Sequence, residues 1–250
     1  MNFVTGKSSA VGPVGRGRKR ARKAAPRPEA SAGGEGDLPD LTLTERAYQQ
    51  LEELITTLVL PPGTVLGEQA LVQRLGIGRT PIREALQRLA RDGLVTVLPR
   101  RGILVSEINI RTHMRLLETR RVLERLVARL AAERATQEER EIFAGLAQDM
   151  RDAAQAADDL AFMRLDLQFN ELTAAAARNE FAVRSLASMA GLSRRFWYQH
   201  YKLAADLPLA ATLHANVCDA IAGRDIDGAG AASDQLIDYI ESFARKTLDL

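Results

Sequence analysis

Three side chains in the first half of this 250-residue chain are spaced to meet one groove of a nucleic acid. Arg79, Arg83 and Gln87 recur every four residues, so on a helix they share a face. Arginine can give two parallel hydrogen bonds to a guanine edge, and glutamine can pair with an adenine edge. Arg79 and Thr80 stand where that helix begins, and free backbone N–H groups at a helix start favour a phosphate. Arg100 and Arg101 occupy the turn-like run Pro99-Arg100-Arg101-Gly102, from which they could enter a minor groove or grip the backbone. The plain alternative is a solvated basic helix face, which an isolated one usually is. Local charge weighs against it. Residues 71–101 carry seven basic and two acidic side chains, whereas the whole chain has a net charge of +2. Residues 41–70 carry one basic and four acidic side chains, and residues 102–250 carry eighteen and twenty-two. A basic block in a near-neutral chain suggests a polyanion-binding surface, and the acidic remainder argues against nucleic acid wrapping the whole protein.

The elements that must position these residues are legible from periodicity and breakers. A first helix starts near Thr42, with Thr42 and Glu45 at capping-box spacing. It buries Leu43, Ala47, Leu51, Leu54, Ile55 and Leu58, and Pro61-Pro62-Gly63 ends it. A short second helix covers about 68–75, stopped by Gly76. Thr80 as N-cap and Pro81 in the first turn open a third, whose buried face is Ile82, Ala85, Leu86 and Leu89. The apolar runs 94–98 and 103–105 flank the Pro99–Gly102 turn and read as a two-stranded hairpin. Three helices followed by a hairpin make the winged helix-turn-helix order, with the second helix bracing the third. Arg88 and Arg91 are more ambiguous and could merely neutralise the last turn of that helix.

From about residue 110 the pattern is helical throughout. Leu116, Leu123 and Leu130 lie on one stripe. Thr136 and Glu139 form another capping box, ahead of Ile142, Phe143, Leu146 and Met150. Further helices are expected near 158–177, 180–201, 207–223 and 226–247. The fold class is therefore mainly α: a winged helix-turn-helix with a two-stranded wing, then an all-α antiparallel helical bundle. The expected boundaries are a disordered basic tail over 1–40, the winged domain over 41–106, a linker over 107–112 and the helical domain over 113–250. The tail is rich in Gly, Pro, Ala and Arg, and its Arg16–Lys23 run could touch phosphates without sequence preference. No apolar run approaches the roughly 20 residues needed to span a bilayer. The N-terminus lacks the apolar stretch of a secretory signal. The lone Cys218 excludes an internal disulfide framework and fits a reducing cytoplasm.

The N-terminal half also carries a resemblance. The run Pro62-Gly63-Thr64-Val65-Leu66-Gly67-Glu68, then Leu75 to Leu86 with Arg79-Thr80-Pro81-Ile82-Arg83-Glu84-Ala85 at its centre, then Gly93-Leu94-Val95 and Pro99-Arg100-Arg101-Gly102, resembles the GntR family of bacterial regulators. The likeness spans about 42–106 and is specific in order and spacing. It implies that Arg79, Thr80 and Arg83 contact DNA, with the Arg101-Gly102 wing assisting. Gly78 departs from the family, which often has Ser or Thr there, and one hydroxyl contact to phosphate goes with it.

The second half resembles the FCD ligand-binding domain of the FadR-type branch. The carriers are Arg120-Arg121-Val122-Leu123-Glu124, Asp166-Leu167-Gln168-Phe169-Asn170, Arg178-Asn179-Glu180 and His214 ahead of Asp219-Ala220-Ile221. The resemblance implies a bundle of six or seven helices, a homodimer, and a central pocket for a small effector, often a carboxylate. Arg120, Asp166, Asn170 and His214 are the effector-site candidates. A forked pair from Arg120 to a ligand carboxylate competes with an i,i+4 pair to Glu124. Many such domains hold a divalent metal with one Asp and three His. Here Asn170 stands where the first His is expected and Leu236 where the last is expected. An amide is a poor transition-metal ligand and Leu is none, so at most a weakly held metal on Asp166, Asn170 and His214 is expected. Cys218, at i+4 from His214, reads as a small core residue. Phe162, Phe169, Phe196 and Trp197 read as bundle packing.

The resulting expectation is a cytoplasmic, sequence-specific transcriptional regulator, a repressor, acting on a palindromic operator in double-stranded DNA. Two other readings compete. A metal-assisted hydrolase lacks support, because His113 and His200 join no recognisable constellation and no nucleophile motif or phosphate-cradling loop is present. An architectural DNA-coating protein would have little use for a large acidic bundle.

Overall fold

The computed structural model describes residues 41–100 and 102–247, apart from the side chains of residues 203 and 204. The tail expected over 1–40 and the wing residue Arg101 lie outside that range. Helix α1 (Leu43–Thr56) is capped by the Thr42 hydroxyl, which accepts from the Glu45 backbone N–H at 3.1 Å. Only half of the expected capping box forms, because the Glu45 carboxylate is drawn to Arg88, 2.9 Å away. The helix stops at Thr56, ahead of the prolines. Leu58 turns the chain with φ +61°, and the Leu60 N–H returns to the Leu54 carbonyl at 2.8 Å.

Strand β1 (Val65–Leu66) leads into α2 (Glu68–Leu75). Gly76 then takes the left-handed conformation, φ +66°, that closes a helix without a Cβ penalty. Helix α3 (Arg79–Arg91) starts two residues earlier than expected. Gly78 is its extended N-cap, so Thr80 and Pro81 lie inside the first turn, where proline's missing N–H costs nothing. The hairpin forms from β2 (Val95–Leu98) and β3 (Gly102–Val105), with Leu98 opposite Gly102 and Val95 opposite Val105. Beyond that expectation, β1 adds a third antiparallel strand on the far side of β3, in the order β1-β3-β2. A two-residue strand leaves too short an alternation to be read from sequence. Ala47, Leu51, Ile55, Ile82, Leu86, Leu89 and Leu94 fill this half's core.

Six helices follow: α4 (Ile110–Arg134), α5 (Gln137–Ala156), α6 (Asp159–Ala177), α7 (Glu180–Ala204), α8 (Leu207–Ala222) and α9 (Ile226–Lys246). Each begins at a side-chain cap, in order Asn109, Thr136, Asp158, Asn179, Asp206 and Asp225. At Thr136 the full reciprocal box with Glu139 is present. Asn109 capping α4 corrects the expected linker: residues 110–112 already belong to the helix, and the connection from β3 is 106–109. Phe143, Met150, Cys218 and Ile221 lie in the bundle's largest core cluster. Arginines 121, 125 and 129 on α4 pair with acidic side chains of α9, which fixes the register of those two helices. Among the described residues no helix is long and apolar enough to cross a membrane.

Candidate functional site

Helix α3 turns Ile82, Ala85, Leu86 and Leu89 inward. That rotation leaves Arg79, Thr80, Arg83 and Gln87 on the outer side, all exposed. Arg79 occupies the first helical position, where the orphan N–H groups point outward. Arg83 is not idle. Its Nε donates to both carboxylate oxygens of Glu68 on α2, at 2.9 and 2.8 Å, while 62% of its side chain stays accessible. Glu68 thus holds the guanidinium by its Nε, and both Nη groups, the pair that suits a guanine edge, meet no acceptor among the described residues. Sequence reasoning missed this orienting role, because Glu68 and Arg83 are separated by the turn between helices. Arg88, in contrast, is structural. It lies 3.7 Å over the Tyr48 ring and pairs with Glu45, tying α3 to α1. Arg91 is exposed in the last turn of α3. At the wing, Arg100 is exposed with φ +65°, and Gly102 opens β3 beside it.

The bundle candidates come together across three helices. On α4, Arg120 donates from Nε to Glu124 at 2.6 Å, and Nη2 lies equally close. The i,i+4 reading of Arg120 is therefore realised, and Nη1 meets no acceptor among the described residues. Asp166 on α6 stands 3.0 Å from Nε2 of His214 on α8. The amide nitrogen of Asn170 reaches the Asp166 carbonyl at 2.7 Å and its carboxylate at 3.2 Å. His214 Nδ1 lies 2.8 Å from the Ala210 carbonyl, which places a proton on Nδ1 and turns Nε2 toward Asp166. Phe162 and Phe169 meet the imidazole edge-on at 5.5 and 5.2 Å, so they pack the bundle and frame the site at once. Asp166 lies deep in the bundle, yet 41% of its side-chain surface stays accessible.

Electrostatics bind these groups into one cluster. Burial works against the charge on Asp166, but the hydrogen bond and charge of His214, with Arg120 nearby, hold its carboxyl below the usual range. Burial also works against His214, and its bond to Asp166 overrides that and raises its pKa. Each partner thus favours the charged form of the other. The buried Thr173 hydroxyl, two turns beyond Asp166 on α6, finds no partner among the described residues.

The donor set does not fit a tightly bound transition metal. It holds one carboxylate and one imidazole, already joined to each other. Asn170 is oriented with its amide nitrogen toward Asp166, and Leu236 is buried and apolar. Among the described residues no group of three or more His, Cys, Asp or Glu side chains is placed to hold a metal ion. Cys218 is fully buried, and burial pushes its thiol to about 12, as suits an inert core residue. His113 and His200, which the sequence joined to nothing, flank one ring. His113 stacks on Phe196 at 3.8 Å and His200 lies 4.8 Å from it.

A cationic helix with a free outer face, braced by the helix before it and followed by a wing, defines a helix-turn-helix DNA-binding protein carrying a helical companion domain. Comparison with known proteins narrows that class. Residues 43–105 match the bacterial regulatory proteins of the gntR family, and residues 115–239 match the FCD domain. The chain belongs to the GntR family of bacterial regulatory proteins, in the branch that carries an FCD domain. It is similar to the HTH-type transcriptional repressor RspR of Escherichia coli K12, with 25% identity over 208 residues covering 83% of this chain and 91% of that one. It is also similar to the Nta operon transcriptional regulator of Aminobacter aminovorans, 31% identical over 130 residues, 51% of this chain and 60% of that one. Among solved structures, E. coli McbR/YncC shares the fold with a TM-score of 0.71 at 19% identity, covering 84% of this chain and 100% of that one. The protein is a DNA-binding transcriptional regulator and not an enzyme.

Proposed function

We propose that this regulator is a homodimeric repressor whose affinity for a palindromic operator is set by a small carboxylate bound in the bundle. The observation that carries the reading is the contrast on α3 and in the bundle: Arg79, Thr80, Arg83 and Gln87 face solvent, while Arg120, Asp166, Asn170 and His214 come together across three packed helices. The exposed set supplies base and phosphate contacts, with Arg100, Arg101 and Gly102 at the wing. In the bundle, Nη1 of Arg120 and the unpartnered Thr173 hydroxyl supply donors for a carboxylate and its substituent. No transition metal is needed for that grip. Exposed Val122 and Leu126, one turn apart on α4, and Phe181 on α7 offer apolar surface for a second copy. The repressor sense follows the name of the RspR relative. Such a protein works in the cytoplasm, where the operator is.

A thermal-shift screen of small carboxylates, run with and without added zinc, tests this reading. A hit raises the melting point of the full chain without zinc, lowers operator affinity, and loses its effect in Arg120→Ala. A panel in which only zinc stabilises the protein overturns it.

A further inference from the structure

One turn and a half of α7 does something that neither half of the molecule explains by itself. Arg195 retains 2% of its surface, and among the described residues no carboxylate lies within salt-bridge distance of it. Its Nη1 donates to the Ser106 carbonyl at 2.8 Å and its Nη2 to the Glu107 carbonyl at 3.3 Å. Its Nε is buried without a partner among the described residues. Burial pushes its pKa down, against a weaker pull from Glu107. A buried cation held by two backbone carbonyls is an expensive way to pack a helix, and cheap residues would fill the same volume. What it holds is the connection 106–109 between β3 and α4. Ser106 is in turn joined to the wing, its N–H donating to the Leu94 carbonyl at 3.0 Å.

The neighbouring residues reach the same domain by other means. Arg194 pairs with Glu52 of α1 at 2.7 Å, and Glu52 keeps only 14% of its side-chain surface. Leu192 packs against the core of the winged half. Gly191 lets α7 come close: a Cβ there would lie 2.7 Å from Leu94 and 2.9 Å from Glu52. Glycine inside a helix is unfavourable, so its place here reflects that approach. On the other side of the same turn, Phe196 stacks on His113 at 3.8 Å with the rings nearly parallel. His113 is buried, its Nε2 without a partner among the described residues, on the stripe of α4 that also carries Arg120.

We infer that residues 191–196 of α7 form a catch that docks the winged domain on the bundle, with Arg195 as its positioning residue. In a dimer, the catch fixes how far apart the two reading helices stand, and hence the half-site spacing the protein accepts. That last step rests on the dimeric reading proposed above. The docking itself does not.

The test compares Arg195→Met and Gly191→Ala with the parent full-length chain, in the absence of DNA. Amide hydrogen exchange across residues 104–110 should quicken at least tenfold in both variants, while exchange in the interior of α8 stays as in the parent. If Arg195→Met does not fold, Gly191→Ala decides alone. Unchanged exchange at 104–110 in a folded variant overturns the catch. Selection of duplexes with varied half-site spacing supplies the second readout. The parent should prefer one spacing, and the variants should accept neighbouring spacings within threefold. Loosened exchange with an equally strict spacing preference overturns the catch as the determinant of spacing. A parent that selects no spacing defeats the dimeric reading, while the exchange data still report on the docking.

Discussion

The two halves of this chain treat charge in opposite ways. The winged half puts its arginines on the outside of α3, at the wing tip and at the first turn of a helix, where they remain available. On that outer face the pair of Arg83 with Glu68 orients an arginine without hiding it. The bundle turns charges inward and joins them to one another, Arg120 to Glu124 and Asp166 to His214. A surface that meets a polyanion gains from unpaired cations, whose counterions are released on contact. Charges without a counter-charge are costly in an interior, so this cluster holds compensated ones that a ligand would rearrange. The difference between halves is thus a difference in partner.

The comparison can be broken most forcefully on the outer side. Replacing Arg79 and Arg83 together by alanine should lower specific operator affinity by about 100-fold or more, since each contact is worth about 1–3 kcal/mol. Fluorescence anisotropy at one stated salt concentration reads this, with the melting point unchanged because neither side chain packs the core. A drop below threefold would mean that α3 does not read bases. On the inner side the effects should reverse. His214→Ala removes one partner of the bundle pair and should cost about 1–3 kcal/mol of stability, less than a sealed pair because the Asp166 side chain stays partly accessible to water. Urea denaturation of the variant measures that loss, and affinity for a single half-site should stay within twofold.

A third test uses acid. His113 is held neutral in the fold, its pKa pushed to about 3 by burial and then by the positive charge of Arg120. In the unfolded chain it titrates near ~6.5. The unfolded state therefore takes up a proton that the folded state refuses as pH falls below that value. The stability due to neutral His113 is fully present above about pH 6.5 and declines by about 1.4 kcal/mol per pH unit toward pH 3. His113→Phe, which can keep the stack on Phe196, should flatten that limb of the stability profile. An unaltered slope would show that His113 is not the group responsible. The smallest expected effect sharpens the outer side again. Glu68→Gln should leave total DNA affinity within about threefold while relaxing the preference at the base that Arg83 meets, because a neutral partner at a lost ion pair contributes well under 1 kcal/mol.

What the sequence disclosed divides along the same line. The reading helix was legible because its chemistry is local. Arg79, Arg83 and Gln87 recur at a helical period, between a glycine that closes α2 and a hairpin with its own turn residues. The bundle's helices were legible too, each marked by a capping Asx or Thr. Contacts that join distant residues were not. Nothing in the spacing of His113, Phe196 and His200 foretells a stack, and nothing in Arg195 foretells a bond to the carbonyls of residues 106 and 107. The start of α3 was misplaced for a related reason: Thr80-Pro81 is a good opening pair, but the exposed N-cap at Gly78 uses no side chain and leaves no mark in the sequence.

The account stands on Arg83 reading a base edge while Glu68 holds it. Selection of binding sites from a random duplex pool, run in parallel with the parent chain and Arg83→Ala, reads this directly. The parent should enrich inverted half-sites with one guanine strongly preferred at a fixed position in each, and Arg83→Ala should lose the preference at that position alone. Identical enriched sequences from both proteins, or no enrichment from the parent, would contradict it.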